Sequence, residues 1–261
     1  INTLNNNSCI PNGSILNEIE EKIHDVGLIL LSGVNYYTGQ LYDIKSASKI
    51  ATENNCVIGL DLAHAAGNVR LKLHDWEIDF AAWCGYKYLN GGPGAPSGAF
   101  IHEKYHNNKN IPRLEGWWGH NKNTRFDPPT KFDPIIGAEA WQSSNPPILS
   151  MASLRSSLDL FDDAGIANLI KKSKILTSYM EFLINSFDSD IIKIITPNNS
   201  DSRGSQISIM IDRNEKSVND VFDANNILCD FRKPNIVRAA PCAFYNTFSD
   251  IYNFVEVLKK L

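Results

Sequence analysis

Long apolar runs are missing from this sequence. No stretch approaches the roughly 20 consecutive apolar residues that a membrane-spanning helix requires, so no transmembrane segment is expected. Paired cysteines are missing as well. Cys9, Cys56, Cys84, Cys229 and Cys242 are odd in number, scattered, and form no C-x-x-C. That spacing argues against a disulfide framework or a zinc site and for a reducing compartment, with the cytoplasm as the default. A strong charge imbalance is absent too. Lys and Arg total 25 against 29 Asp and Glu, a net charge of -4, which marks out neither a nucleic-acid partner nor an anionic membrane surface. The opening INTLNNNSCIPNGS lacks a basic region followed by an apolar one, so no secretory leader is expected there. It also lacks an initiating Met, as a processed product or an incomplete sequence would.

What is present is ordinary globular material: 261 residues, 43% hydrophobic and 21% charged, enough for one large domain or two smaller ones. Ser14 to His24 has helical spacing of its apolar residues, and Tyr42 to Asn54 fits a second helix. The apolar runs Val26–Gly33, Cys56–Ala63, Asp79–Gly85 and Ser97–Glu103 read as strands. Strands alternating with helices or long crossovers predict an α/β layered sheet, at least partly parallel. Residues 105–148 are rich in Asn, Pro, Gly and Trp and show little periodicity, the mark of a long functional loop. From Pro147 an amphipathic run predicts a long helix, and the chain continues helical to about residue 187. IIKIITP and QISIMI then read as strands and VNDVFDANNI as a helix, followed by VRAAP and a last helix, FSDIYNFVEVLKKL. The expected organisation is a large unit over 1–148, a linking helix over 149–170 and a small α+β unit over 171–261.

The candidate chemistry lies at strand ends. Parallel α/β sheets bind ligands at the carboxyl ends of their strands, where Asp61 falls, with His64 three residues on. Lys87 ends the next apolar run, between two tyrosines, in WCGYKYLNGGPGAP. A lysine there loses hydration, and the glycine-rich turn behind it suits close backbone approach. If the two strands are near one another, Asp61 and Lys87 meet. The pair is then either a buried ion pair, a poor stabiliser, or a working amine beside a carboxylate. The second arrangement suits pyridoxal phosphate, which forms a Schiff base with a lysine and needs an acidic partner for its ring nitrogen.

The run GLDLAHAAGNVRLKLHDWEIDFAAWCGYKYLNGGPGAPSGAFIHEKYH resembles kynureninase, a fold-type I pyridoxal-phosphate enzyme. GWWGH, SSNPPIL and VRAAPCAFYNTF agree with that family in order and spacing, and the resemblance runs from about Leu16 to the C-terminus. It implies a fold-type I transferase-like α/β architecture, with a partial large domain and a smaller α+β domain. It also implies Lys87 as Schiff-base lysine and Asp61 as pyridinium partner, with Ser32, His64 and Tyr86 on the cofactor, Tyr86 at its phosphate. Trp117 and Asn145, with Ser144, would line the site from the other subunit of a homodimer. Arg238 would hold the substrate's α-carboxylate, a task suited to a bidentate guanidinium.

Asn145 matches the form of the family that favours 3-hydroxykynurenine over kynurenine, since an amide can hydrogen-bond an aryl hydroxyl. The implied reaction is hydrolysis of the substrate's Cβ–Cγ bond, giving 3-hydroxyanthranilate or anthranilate and alanine, in tryptophan catabolism and NAD biosynthesis. Kynureninases carry a long segment before the part corresponding to Leu16, which supplies the phosphate-binding turn and the aromatic that stacks on the cofactor. It has no counterpart in residues 1–15, so the chain is expected to represent about the last three-fifths of such an enzyme. Taken one at a time, each residue has a plainer reading: Ser32 and Asn145 as turn residues, His64, Tyr86 and Trp117 as core, Arg238 as a partner for Asp230. Two further readings of the whole stand beside the first. One is a cysteine desulfurase-like enzyme, which would want His where Tyr86 stands and Gln where His64 stands. The other is a non-catalytic fragment that associates with a partner.

Overall fold

The computed structural model describes residues 9–128 and 131–261. The first eight residues of the Asn-rich start, and positions 129 and 130 of the Pro-rich stretch, lie outside the described residues. Four strands, β1 (Leu28–Ser32), β2 (Val57–Asp61), β3 (Phe80–Trp83) and β4 (Gly98–Ile101), lie side by side in chain order. The first two pairings are parallel, and β4 runs antiparallel to β3. Helix α1 (Asn12–Lys22) precedes the sheet, and α2 (Ile44–Glu53) crosses from β1 to β2. Asp43 starts α2 by accepting a hydrogen bond from Ser46 N at 3.0 Å, satisfying one of the amides a helix leaves open. Its buried stripe of Ile44, Ala47, Ile50 and Ala51 belongs to one core with Ile29, Ile58 and Leu60 of the sheet.

The other face of this sheet carries Leu28, Leu30 and Val57, all exposed, with Leu30 63% accessible. Sheets that are largely parallel usually have both faces covered, and in this chain one face is. On that open face the Phe80 ring lies against Gly59, its register partner on β2.

Residues 105–147 contain, among those described, short 3-10 turns such as Trp117–Gly119 and Ala138–Trp141 and an isolated antiparallel bridge between His120 and Pro134. Side chains tie the segment together. Asp133 accepts from Lys109 Nζ at 2.6 Å and Asn121 Nδ2 at 3.0 Å, and the Arg113 guanidinium lies 4.1 Å over the Trp141 ring.

The helical run that follows is two helices rather than one continuous link. α3 (Ile148–Ala164) and α4 (Ile166–Asn185) meet at Gly165, whose φ of +75° no ordinary helix accommodates. Beyond α4 come β5 (Ile192–Ile194), β6 (Ile207–Ile211), α5 (Glu215–Ala224), β7 (Asp230–Arg232), β8 (Ile236–Ala239) and α6 (Phe248–Leu258). The strands form an antiparallel sheet in the order β5-β6-β8-β7. Leu176 and Met180 of α4, Val218 and Phe222 of α5, and Ile251, Phe254 and Val255 of α6 join Ile207 and Ile209 in a second core. Burying each such apolar side chain contributes about 1.5–3 kcal/mol before entropy is subtracted.

The two sheets are fastened through the loop after β1. Thr196 Oγ1 donates to Thr38 O at 2.7 Å, Ser208 Oγ to Tyr37 O at 2.6 Å and Gln206 Nε2 to Tyr36 O at 3.0 Å. From the loop after β2, Asn68 Oδ1 accepts from Ser205 N at 2.9 Å.

Candidate active site

The parallel register sets Ser32 opposite Asp61, and Asp61 opposite Ala82, so the carboxyl ends of β1, β2 and β3 finish level. The ladder continues one residue further, with Gly33 N donating to Asp61 O and Leu62 N to Ala82 O, both at 2.8 Å. The chain then turns, and His64 and Lys87 emerge from adjacent strand ends. Lys87 Nζ lies 3.1 Å from His64 Nε2.

The loop bearing Lys87 is closed on itself. Asn90 N donates to Lys87 O and Gly91 N to Gly85 O, each at 3.0 Å. A Cβ at Gly85 would stand 2.4 Å from Pro96 O, and one at Gly91 would press on Ala95 and on Leu154 of α3. The close approach that these glycines permit is therefore to protein. Helix α3 secures the loop from outside: Ser157 Oγ donates to Leu89 O at 2.7 Å and Ser153 Oγ to Gly91 O at 2.8 Å.

Asp61 and Lys87 do not form the ion pair that their spacing allowed. Asp61 Oδ1 accepts from Ala63 N at 2.9 Å, while Lys87 makes no ion pair among the described residues and stands 5.8 Å from the Tyr86 ring centroid. Burial pushes His64 down to about 4, with Lys87 and then Arg238 adding to the depression and Asp61 opposing it. The imidazole is thus neutral at physiological pH, with Nε2 free to accept from Lys87. Its other nitrogen, Nδ1, is buried and is one of eight buried side-chain polar atoms without a hydrogen-bond partner among the described residues.

A cavity of about 310 Å³ opens here, lined by His64, Lys87, Tyr88 and Asn90 from the first half of the chain and by Asp230, Arg238, Cys242 and Tyr245 from the second. Phe161 of α3 and Phe244 also line it, their rings packed edge to face at 4.8 Å. Tyr88 is buried enough that its phenol is pushed up to about 12. Arg238, on β8, pairs with Asp230 on β7, directly opposite in register. It also donates from Nη1 to Tyr36 O at 2.7 Å.

The expected site residues divide into two groups. His64, Lys87 and Arg238 converge on the cavity; Ser32 and Asp61 lie at the neighbouring strand ends without lining it, and Tyr86 is exposed beside Lys87. Trp117, Ser144 and Asn145 lie in the long loop and do not line it. Trp117 packs edge to face on Trp118 at 5.1 Å, and Ser144 Oγ donates to Asn145 Oδ1 at 3.2 Å, with both of those side chains exposed. Sequence reasoning overlooked Tyr88, Asn90 and the Tyr36 carbonyl as parts of the site. Tyr88 and Asn90 stand in the same KYLN stretch as Lys87, and the signal was there to use.

This architecture, with an amine at the strand ends of a partly parallel sheet and a guanidinium reaching across from a small antiparallel one, is that of the fold-type I pyridoxal-phosphate enzymes. Among solved structures it is similar to a cysteine desulfurase from Thermococcus onnurineus, with a TM-score of 0.78, 18% identity, and coverage of 94% of this chain and 62% of that one. An alanine–glyoxylate aminotransferase from Nostoc sp. superposes with a TM-score of 0.72 at 16% identity, over 96% of this chain and 65% of that one. At such identities the likeness shows the fold alone, and the desulfurase-like reading gains only that from it.

Within that class the sequence kinship is with kynureninases. Residues 169–258 match the Kynureninase C-terminal domain. A kynureninase of Myxococcus xanthus is 49% identical over 245 residues, covering 94% of this chain and 58% of that protein. Those of Flavobacterium psychrophilum and Mus musculus are 46% and 42% identical, with 59% and 55% of their lengths covered. The resemblance of this chain to kynureninase is established along nearly all of it, and the chain spans less than three-fifths of the length of these relatives.

Proposed function

We propose that this chain is the lysine-bearing portion of a kynureninase, an enzyme that hydrolyses the Cβ–Cγ bond of kynurenine or 3-hydroxykynurenine and releases an anthranilate and alanine. One observation carries the reading: Lys87 Nζ, with no carboxylate paired to it, stands 3.1 Å from a neutral His64 in the cavity that Arg238 also lines. The residues fit pyridoxal phosphate, because the site offers a free amine, an unfilled buried nitrogen on His64 and a carboxylate, Asp61, at the adjoining strand end. When bound, that cofactor supplies the electron sink that makes cleavage of a carbon–carbon bond feasible.

The chain's own residues supply the rest. Lys87 Nζ is the atom that would hold the cofactor and would then move the substrate's Cα proton. His64, kept neutral by burial and by its cationic neighbours, accepts a hydrogen bond from Nζ and fixes its direction. Asp61, oriented by the Ala63 amide, would meet the ring nitrogen, and Ser32 and Tyr86 would contact the cofactor, Tyr86 at its phosphate. Arg238 takes the α-carboxylate. Trp117, Ser144 and Asn145, exposed and away from this cavity, serve the second site of a homodimer. Part of the same reading is the division into a partial large unit (1–148), a link (149–170) and a small unit (171–261), supported by the two separate cores. A cytoplasmic location belongs to it as well, supported by five cysteines that are all free.

The test is to add pyridoxal phosphate to the purified chain, reduce with borohydride and map the labelled peptide. Label concentrated on Lys87, and lost in Lys87→Arg, is expected. Label spread over surface lysines in the wild type would overturn the assignment of Lys87.

A further inference from the structure

The guanidinium of Arg238 is held from two sides, and the manner of holding leaves a definite part of it free. Asp230 Oδ2 accepts from Nε at 2.5 Å and also pairs with Nη2, which occupies the side edge of the fork. The Tyr36 carbonyl, from the loop after β1, accepts from Nη1. An arginine has five N–H donors in a rigid plane, so one on each terminal nitrogen remains. The Arg238 side chain is only 12% accessible, whereas Asp230 is 44% accessible on the edge strand β7. Both side chains line the cavity with Lys87, and the guanidinium is the more buried of the two. Asp230 also accepts from Arg232 Nε at 2.9 Å, so this cluster of one carboxylate and two guanidiniums carries a net positive charge.

We infer that Asp230 is a positioning residue for carboxylate recognition. It turns the Arg238 fork so that the two free N–H groups face a substrate carboxylate, an inference that rests on the proposed role of Arg238. The alternative is that Asp230 only offsets charge, and the two roles have opposite signs. Removing Asp230 makes the cavity more positive by one unit, so a residue that merely offsets charge would, on removal, let a carboxylate bind more tightly. A positioning residue would, on removal, weaken that binding in spite of the added positive charge, because a fork free to swing loses the pre-set geometry on which bidentate hydrogen bonding depends.

The experiment uses the full chain labelled with ¹⁵N-arginine and follows the Arg238 Nε–H resonance during titration with benzoate. The wild type is expected to show a saturable shift, and Asp230→Ala to bind benzoate about tenfold more weakly, the size of one charge-assisted hydrogen bond. If the alanine variant does not fold, Asp230→Leu decides, since it keeps the volume and removes the acceptor as well as the charge; weaker binding supports the inference. Equal or tighter benzoate binding in the folded variant overturns it, and so does a wild type whose Arg238 resonance does not respond. Borohydride labelling of Lys87, run on the same samples, reports separately on the cofactor reading. Failure of one readout is thus distinguishable from failure of the other.

Discussion

His64 shows how one side chain's surroundings fix its chemistry. Histidines ordinarily titrate near 6.5; here burial first, then Lys87 and Arg238, bring the value down to about 4. The linkage follows directly. The folded protein resists protonation at His64 while the unfolded chain accepts it, so the contribution of this residue to stability is fully present above about 6.5 and is lost as pH falls toward 4. Replacing His64 by Gln should flatten the acid limb of the stability curve in that window and leave neutral stability within about 1 kcal/mol. Urea unfolding at intervals from pH 7 to 4 checks this, and parallel limbs in the two proteins would refute it. His64 was found in the sequence by its place three residues after a strand-end aspartate. The identity of its neighbour was not legible there, because spacing suggested an Asp61–Lys87 pair and the fold set the imidazole beside the amine instead. Whether Arg238 paired with Asp230 was likewise visible only as an option, since register across a hairpin depends on a turn that propensity does not specify.

At the scale of elements, the apolar runs located β1 to β4, β5 and β6 to within a few residues, because short, mostly apolar stretches bounded by polar or turn-forming residues mark strands. β7 escaped notice for the opposite reason. Asp-Phe-Arg has two charged residues of three, and an edge strand tolerates that composition. α5 begins at Glu215, earlier than its apolar periodicity starts, because Asn214 caps it by accepting from Ser217 N at 2.9 Å. The first sheet depends on a contact that periodicity does not reveal, the Phe80 ring against Gly59 across the β2–β3 pair. A Cβ at residue 59 would lie 2.2 Å from the ring, so Gly59→Ala must displace the phenyl group from the sheet. A loss of about 1–3 kcal/mol is expected, as in other overpacked positions. Denaturant midpoints for the two proteins measure it, and an unchanged midpoint would mean that the ring moves freely.

On the scale of the whole molecule, the two cores are separate but the hydrogen bonds of residues 36–38 belong to both. Those carbonyls lie on the loop after β1, yet their donors come from β6 and its neighbours. Unfolding the small sheet would strip three backbone acceptors of the large unit and leave Asn68 without Ser205. The chain is therefore expected to melt in a single transition, with calorimetric and van't Hoff enthalpies that agree. Two resolved transitions would show that the seam is weaker than its bonds suggest.

The seam also sets the length of what the cavity can hold. Lys87 rides on one sheet and Arg238 on the other, and the Tyr36 carbonyl that steadies Arg238 is part of the same seam. If the seam holds as its hydrogen bonds predict, the gap between amine and guanidinium is a fixed ruler rather than a jaw, and a molecule gripped at both ends would be selected by its reach.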